Sequence, residues 1–186
     1  MRQLLDAGVE VFASKGYFAA RVDDIVKLAR TSHGTFYLYF SNKEELFRAL
    51  AAEVSDEMQT LAESLGPLEP GPEGEARLRE WIARFADLYE RYGPVIRAWT
   101  EAEIGSHEFG RLGNDVLVRF TRVLTRRIAQ TASPDLDSTI AAVALVAMFE
   151  RLNYYVLAGQ VRVGREEIVD VLAVVTQRAV FGAGAA

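Results

Sequence analysis

The 186-residue chain lacks cysteine, and all three of its lysines lie within the first 43 residues. Without cysteine it can form no disulfide bond, no thiolate nucleophile and no cysteine-ligated metal site. Its longest apolar run, 140–149, has ten residues, whereas a membrane-crossing helix needs about 20. Asp6 and Glu10 interrupt any apolar leader near the N-terminus. The sequence alone therefore predicts a cytoplasmic protein that enters no membrane.

Signatures of catalysis are missing as well. The sequence contains no phosphate-binding loop, no Gly-x-Ser-x-Gly and no His-Glu-x-x-His. Three carboxylate pairs, at 23–24, 44–45 and 166–167, each fall in the first turn of a predicted helix, where they match the positive end of the helix dipole. His107 has no second histidine or cysteine near it in sequence. We therefore expect no enzyme activity, no cofactor and no metal site.

Charge is distributed unevenly along the chain. Residues 1–50 contain seven Lys or Arg and six Asp or Glu, whereas residues 51–186 contain fourteen Arg and twenty Asp or Glu. The net charge of −5 therefore arises after residue 50. An acidic body repels DNA phosphates, so any contact with nucleic acid is expected at the N-terminal end.

Apolar residues recur at helical spacing and alternating β-branched residues are absent, so we predict an all-α protein. Ser41-x-x-Glu44 is a capping pattern that opens a long helix. Three of the five prolines lie in 65–74, which must interrupt the helices, and Gly93-Pro94 is expected to end another helix. The expected helices are about 2–15, 22–29, 32–39 and 41–64, then 75–92, 94–103, 106–130, 137–157 and 165–181, followed by a disordered tail at 182–186.

The segment 30–43 is the most informative part of the sequence. It predicts a tight turn followed by a very short helix, and 22–29 before it is also a short helix. Two short helices joined by a tight turn form the unit that places one helix in the DNA major groove. His33, Thr35 and Tyr37 are an unusual choice for a helix that only packs, but they suit a helix that contacts DNA.

A specific pattern of residues extends from Gly16 to Leu46. Its members are Gly16-Tyr17, Val22-Asp-Asp-Ile25, Ala29, Ser32, Gly34-Thr-Phe-Tyr37, Tyr39-Phe40 and Lys43-Glu-x-Leu46. With these residues the chain resembles the tetracycline-repressor (TetR) family of bacterial transcription regulators. The resemblance implies an N-terminal three-helix helix-turn-helix DNA-binding domain, 1–45, joined by a linking helix, 46–64, to a larger helical domain for ligand binding and dimerisation, 46–186.

The resemblance also implies which residues contact DNA. Hydroxyls and helix N-termini bind phosphate oxygens, His33 and Thr35 can bond to base edges, and Leu38 can pack on a thymine methyl. The lysine at the start of the next helix is expected to contact phosphate. The implied positions are Ser32, His33, Gly34, Thr35, Tyr37, Leu38, Tyr39 and Lys43.

Two positions depart from the family pattern. Arg21 stands where threonine is common as a helix cap, and its guanidinium is a candidate phosphate contact. Arg30 stands where the family usually has glycine, because the turn often needs a positive φ. Either Arg30 adopts that conformation, at about 1 kcal/mol, or the turn differs.

Aromatic residues after position 75 either fill a core or line a pocket. Singly each suits a core, but tryptophan and tyrosine carry polar groups that need partners, and together they favour a cavity. Without lysine nearby, the expected effector is small and apolar or weakly anionic. The candidate ligand residues are Trp81, Phe85, Tyr89, Trp99, Phe120 and Phe149, with Asn153 as a polar anchor.

The segment 140–149 is apolar on every side, and the last helix is similarly rich in apolar residues. A helix without a polar face must be covered all round, which in a chain of this size indicates a second subunit. The resemblance implies the same, since the last two helices of family members form the dimer interface. The candidate interface residues are Ile140, Val143, Leu145, Met148, Ile168, Leu172, Val175 and Ala179.

These features predict a homodimeric, ligand-responsive repressor that leaves a palindromic operator in double-stranded DNA when its effector binds. The alternative is a small-molecule-binding or scaffold protein of the same fold that has lost operator binding. The acidic total charge and the departures at Arg21 and Arg30 support that alternative.

Overall fold

The structure, a computed structural model, describes residues 1–103, 107–131 and 136–182. These residues form eight helices and no strand, which confirms the all-α prediction. Of the tail at 182–186 that was expected to be disordered, residues 183–186 lie outside the described residues, as does the side chain of His107. The helices are α1 (Arg2–Ala19), α2 (Val22–Leu28), α3 (His33–Tyr39), α4 (Lys43–Glu63), α5 (Pro72–Glu103), α6 (His107–Ala129), α7 (Ser138–Leu157) and α8 (Arg165–Phe181).

Two helix ends show how local residues set the boundaries. The first helix was predicted to end at about residue 15, and the structure has a break inside α1 at that point, where Gly16 adopts φ 74° and ψ 172°. At the start of α4, Asn42 Oδ1 accepts a hydrogen bond from the Glu45 N–H at 2.8 Å, and Glu45 Oε2 accepts one from the Ser41 N–H at 2.6 Å. The capping bonds are therefore made by Asn42 and Glu45, one residue later than the predicted Ser41 and Glu44.

The predicted break at Gly93-Pro94 is wrong, because α5 continues through Pro94 to Glu103. A proline inside a helix removes one hydrogen bond and costs about 3 kcal/mol. Tyr92 and Val95, on either side of it, are fully buried, and burying one such side chain gains about 1.5–3 kcal/mol. Packing on both sides of the proline thus offsets its local preference and keeps the helix continuous.

The chain divides into two compact units, Met1–Glu57 with Arg91–Asp115, and Met58–Glu90 with Val116–Ala186. We call them the first and the second unit. Helices α4, α5 and α6 each contribute residues to both units, so neither unit is one continuous stretch of chain. The domain boundary predicted between residues 45 and 46 does not coincide with the division into compact units. It separates a DNA-binding part from a ligand-binding part, and it stays a prediction.

Close packing of α1 on α4 supports the helix-turn-helix in the first unit. A Cβ atom at Gly8 would lie 2.6 Å from Leu46 Cδ2, so a larger residue would displace the buried Leu46. Beside this contact, the rings of Phe12 and Phe47 meet edge to face with centres 5.2 Å apart, and Tyr17 lies 4.9 Å from Phe47. This core provides the base that supports α2 and α3.

In the second unit, arginine side chains fasten α8 to α5. Arg79 bonds to Glu166 at 2.9 Å and also to Asp170. Arg165, at the start of α8, donates to the carbonyl oxygen of Ala83 at 3.0 Å. These bonds hold the first turn of α8 in place, so that its apolar residues reach the core.

Within the described residues, one helix is long and apolar enough to cross a membrane, judged by length and composition alone: α7, Ser138–Leu157. The uninterrupted apolar run 140–149 is only part of this helix. Its apolar character continues beyond residue 149, and Glu150 and Arg151 are its only charged residues. No more than 28% of the apolar window is buried inside the subunit. An apolar surface of this kind needs a cover, which either a lipid bilayer or another protein surface provides.

Candidate DNA-binding surface and effector cavity

The turn between α2 and α3 is a Schellman motif. The Thr31 N–H donates to the Val26 carbonyl at 3.0 Å, and the Arg30 N–H donates to the Lys27 carbonyl at 3.2 Å. Arg30 has φ 50°, the positive value that glycine usually supplies. Of the two possibilities left open by the sequence, the strained arginine is the one found.

Ser32 holds the start of α3, and Phe36 anchors the helix in the core. Ser32 caps the helix, because its Oγ accepts a hydrogen bond from the Thr35 N–H at 3.1 Å. Phe36 is completely buried, as is Ile25 of α2. A seven-residue helix anchored by one buried ring has most of its surface left for contact with a partner.

The outer face of α3 exposes three large side chains. Leu38 is 81% exposed, Tyr37 57% and Tyr39 48%. Their exposure adds nothing to the stability of the unit, since apolar surface gains free energy only when it leaves water. The two hydroxyls can bond to phosphates or base edges, and Leu38 can contact a thymine methyl. The face therefore has the chemistry expected of a surface that binds DNA.

Gly34 lies exposed in the first turn of α3. An added Cβ atom would meet only Ser32 Oγ, at 3.6 Å, which is an ordinary contact. The space that the described residues leave around it would therefore accept alanine, although glycine in a helix costs about 1 kcal/mol relative to alanine. Bare backbone at this position permits a close approach by a partner such as a DNA phosphate.

Two predicted DNA contacts share one acidic partner. Asp23 Oδ1 accepts a hydrogen bond from His33 Nε2 at 2.7 Å, and its Oδ2 lies 3.3 Å from Arg21 Nη2. All three side chains are more than half exposed. The neighbouring Asp24 has a different role, since it accepts bonds from Lys15 at 2.6 Å and from the Arg21 N–H at 3.3 Å. The bond from Lys15 lowers the pKa of Asp24.

Lys43 is held by the end of α1. Its Nζ donates to the carbonyl oxygens of Tyr17, Phe18 and Ala20 at 2.9, 3.1 and 3.0 Å, and it lies 5.0 Å from the Tyr17 ring centre. These bonds use all three hydrogens of the ammonium group and satisfy carbonyls that the helix leaves unpaired. A phosphate contact by this side chain would have to replace them, so the contact stays a prediction.

Five of the seven predicted ligand residues form one cluster in the second unit. Tyr89 stacks on Phe85 at 5.9 Å, and the other contacting ring pairs have centres 5.8–6.4 Å apart. All five residues are buried. The cluster consists of Trp81, Phe85, Tyr89, Phe120 and Phe149.

The two remaining predicted residues do not extend this cluster. Trp99 lies in the first unit, where its indole N–H donates to the Phe109 carbonyl at 2.9 Å. Asn153 is near the cluster in sequence, but its Nδ2 donates to the Phe149 carbonyl of its own helix at 2.8 Å. A different polar contact borders the rings: the Tyr89 hydroxyl donates to Glu150 Oε1 at 3.1 Å. Burial, and then the Glu150 carboxylate, raises the pKa of Tyr89 far above its usual value.

A small cavity of about 10 Å³ adjoins the aromatic cluster and is bordered by Trp81, Phe149 and Thr176. This is about the smallest space that holds one water molecule, whereas a ligand pocket has about 300 Å³ or more. In this conformation the five clustered residues thus form a packed core. Binding an effector here requires the surrounding helices to separate.

Two buried polar residues of α8, of which Thr176 borders this cavity, were missed by the sequence analysis. Thr176 Oγ1 and Gln177 Oε1 are buried and have no hydrogen-bond partner among the described residues. An unpaired buried polar atom costs about 1–3 kcal/mol, so these atoms favour a partner supplied from outside the chain. The available signal was two adjacent polar residues directly after the apolar run 171–175.

Four of the eight predicted interface residues are exposed. On α7, Ile140 is 69% and Val143 53% exposed, and their spacing places them on one helix face. On α8, Val175 and Ala179 are exposed, together with Val171, which the sequence analysis did not select. These side chains form the apolar face of α7 and α8.

The other four predicted interface residues lie deeper. Leu145, Ile168 and Leu172 are buried within the second unit, so their placement on an outer face is corrected. Each occupies the inward side of its helix and packs in the core, where no surface remains for a second subunit. Met148 is half-buried. The apolar composition of α7 and α8 concealed which side faces inward, because both sides carry similar residues.

Comparison with known proteins places the strongest similarity in the N-terminal residues. The family model for bacterial regulatory proteins of the tetR family matches residues 4–50. The fatty acid metabolism regulator protein of Bacillus subtilis (strain 168) is 47% identical over 51 residues, which cover 27% of this chain and 26% of that protein. The transcriptional regulator AcuR of Cereibacter sphaeroides is 33% identical over 138 residues, which cover 69% of this chain and 59% of that protein. The matched segments thus span about a quarter and about three-fifths of these relatives.

Solved structures extend the similarity to the whole fold. The transcriptional regulator FadR from Bacillus subtilis, solved in complex with stearoyl-CoA, superposes with a TM-score of 0.71. The superposition covers 96% of this chain and 98% of that chain, with 21% sequence identity. Each of these proteins is a regulator by name.

Proposed function

Because the chain belongs to the TetR family of bacterial regulatory proteins, we propose that it is a DNA-binding transcriptional regulator of the bacterial cytoplasm. The observation that carries the proposal is the outer face of α3. It presents Tyr37, Leu38 and Tyr39 on a capped helix that follows a Schellman turn. A short helix with exposed hydroxyl and apolar groups suits the major groove, where both phosphates and base edges are within reach.

The proposed regulator is a homodimer. Two copies of α3 would enter successive major grooves of a palindromic operator, with half-sites about 34–36 Å apart. The apolar face of α7 and α8 supports this assembly, since a second copy supplies a matching apolar surface. If this face instead entered a bilayer, the purified protein would bind neutral phospholipid vesicles and would not be a soluble dimer.

The proposed effector is a long-chain acyl compound that opens the cavity beside Trp81 and Phe149. Apolar rings suit an acyl chain, and the unpaired hydroxyl of Thr176, which can donate, suits its carbonyl oxygen. The complex of FadR with stearoyl-CoA supports this class of ligand. Effector binding would favour a conformation that no longer fits the operator, by no more than the difference in effector affinity between the two states. The protein then acts as a repressor that its effector releases.

Selection from random DNA duplexes by the purified protein tests DNA binding. We expect an enriched palindrome whose affinity falls steeply with salt. Tyr37→Ala should lower operator affinity by about 10- to 100-fold without changing the unfolding temperature. This loss of affinity corresponds to the contacts of one side chain with DNA, about 1–3 kcal/mol. Leu117→Ala truncates an exposed side chain of α6 in the second unit, outside α3, α7 and α8, and should leave the affinity unchanged. Failure to enrich any duplex would favour the alternative protein that has lost operator binding.

Thermal unfolding with stearoyl-CoA and with free coenzyme A tests the effector. We expect stearoyl-CoA alone to raise the unfolding temperature and to release the selected duplex. Thr176→Val has the same shape but no hydroxyl, so it should stabilise the free protein and weaken the effect of the ligand. A ligand effect equal in both proteins would exclude Thr176 from the site, and no effect of any acyl compound would exclude the proposed class.

A further inference from the structure

We propose that Asp23 determines base specificity by positioning His33. The inference rests on the proposed DNA-binding function and adds a residue outside the set of predicted DNA contacts. Asp23 lies in the first turn of α2, whereas His33 is the first residue of α3. The pair therefore joins the two helices of the helix-turn-helix through exposed side chains, at 2.7 Å between His33 Nε2 and Asp23 Oδ1.

The chemistry of this contact fixes the tautomer of His33. An ionised carboxylate only accepts hydrogen bonds, so Nε2 carries the hydrogen. In a neutral imidazole the other nitrogen, Nδ1, is then an acceptor. Without Asp23 either nitrogen can carry the hydrogen and the ring can rotate. Asp23 thus sets both the direction of the ring and the kind of group that it presents.

An acceptor at Nδ1 selects particular bases. In the major groove adenine and cytosine present amino groups that donate, whereas guanine presents two acceptors, N7 and O6. A His33 ring oriented by Asp23 is therefore expected to favour adenine or cytosine over guanine at the base that it faces. A ring that is free to present an N–H accepts guanine as well.

The negative charge of Asp23 has a separate effect. DNA phosphates repel an exposed carboxylate, so Asp23 should lower the affinity for every duplex to a similar extent. Arg21 Nη2 lies 3.3 Å from Asp23 Oδ2 and reduces this repulsion. Asp23 is thus expected to lower affinity in general while it increases discrimination at one base, and these two effects can be measured separately.

Three variants separate the two effects, each measured against the selected operator and its single-base substitutions. Asp23→Ala should raise the general affinity about 2- to 10-fold and reduce the discrimination against guanine from about tenfold to within twofold. Asp23→Asn removes the charge, and its amide can either accept from Nε2 or donate to it, so it should raise the affinity as Asp23→Ala does and retain only part of the discrimination. Glu44→Ala removes a carboxylate from the first turn of α4 without touching His33, and it should change affinity only.

A double-variant cycle with His33→Ala gives the decisive result. Discrimination should already be lost in His33→Ala, and adding Asp23→Ala should change it no further. If Asp23→Ala keeps the wild-type base preference, or shifts it equally without His33, the inference is overturned while the proposed function stands. If the wild-type protein selects no duplex, the proposed function fails, and the inference with it. Circular dichroism and thermal unfolding check that each variant folds.

Discussion

Two helices of this chain expose large apolar side chains to solvent, and they differ in what those side chains carry. Helix α3 has seven residues and exposes Tyr37, Leu38 and Tyr39, whereas α7 has twenty and exposes Ile140 and Val143. A tyrosine ring ends in a hydroxyl that can bond to phosphate or base, so its apolar body and its polar end can both be used. Isoleucine and valine have no polar atom and gain only by leaving water.

The comparison shows that exposure alone does not identify a partner. The face of α3 suits a partner that is polar and charged, while the face of α7 suits another apolar surface. The surroundings of the two helices agree with this difference. Arg21 and His33 lie beside the α3 face, whereas the neighbour of α7 in the second unit is α8 with the exposed Val171.

The largest expected effect comes from placing a charge on the face of α7. Val143→Glu introduces two carboxylates at a symmetric interface, one from each copy, and burying them is unfavourable by several kcal/mol. We expect the mass in solution to fall from dimer to monomer and operator affinity to fall more than 100-fold, because each copy then binds one half-site alone. Light scattering and a DNA-binding titration measure the two effects.

The matched control for this substitution is Val118→Glu. Val118 is exposed on α6, outside the apolar face of α7 and α8, so its replacement should leave the dimer intact. Equal loss of the dimer in both variants would mean that the effect is general destabilisation. A dimer that persists in Val143→Glu would contradict the proposed interface, because the exposed side of α7 would then not pack against a second copy.

A second prediction separates residues that contact DNA from residues that hold the helices of the first unit together. Lys43→Met keeps the aliphatic stem but removes the three bonds to the carbonyls of α1. Because the three bonds share one ammonium group and are only partly buried, we expect the free energy of unfolding to fall by about 2 kcal/mol, the value of one hydrogen bond to a charged group. Chemical denaturation measures it.

The salt dependence of DNA binding decides the role of Lys43. A residue that only joins α1 to α4 can be removed without changing the slope of affinity against salt, whereas loss of a phosphate contact reduces the slope by about one. Lys27→Met, an exposed lysine on α2, controls for the loss of one positive charge. A reduced slope together with unchanged stability would show that Lys43 leaves α1 to bind phosphate, as the sequence predicted.

Much of the first unit could be predicted, because its helix ends and turns depend on residues that are close together in the sequence. The capped helix at Ser32, the stop at Gly16 and the buried Phe36 follow from residue types at short spacing. The pairing of Lys43 with α1 could not be predicted, because it joins residues 23 to 26 positions apart. The sequence alone does not show that residues so far apart in the chain are close in space, because that depends on how the helices pack.

The second unit was harder to predict for a different reason. Its helices are apolar on more than one side, so periodicity did not distinguish the buried Leu172 from the exposed Val171. Five of the seven candidate ligand residues form one cluster, but whether they enclose a pocket depends on packing, and the cavity beside them has a volume of only about 10 Å³. Pro94 was misread because burial of Tyr92 and Val95 outweighs a local preference.

A third prediction concerns the bare backbone of α3. Gly34→Ala should raise the free energy of unfolding by about 0.5–1 kcal/mol, since alanine favours the helix and the site has room for a Cβ atom. Operator affinity should fall by about tenfold, because the added methyl group holds the DNA backbone away. A substitution that raises stability but lowers operator affinity indicates a residue whose role is to bind DNA and not to stabilise the fold. Gly66→Ala, a glycine of the second unit with nothing within 4 Å of an added Cβ atom, should leave DNA binding unchanged.

The smallest expected effect lies at the turn that leads into α3. Arg30→Gly relieves the positive φ of 50°, so we expect the free energy of unfolding to rise by about 1 kcal/mol. The turn keeps its two backbone hydrogen bonds, and α3 should therefore keep its orientation. Any fall in operator affinity would then report the lost positive charge of Arg30, and the slope of affinity against salt would fall with it. Arg30→Ala separates the two effects, because alanine loses the same charge but retains the unfavourable conformation. If both variants bind DNA as the wild type does, Arg30 acts only in the turn, and the DNA-binding surface is confined to the side chains of α3 and their immediate neighbours.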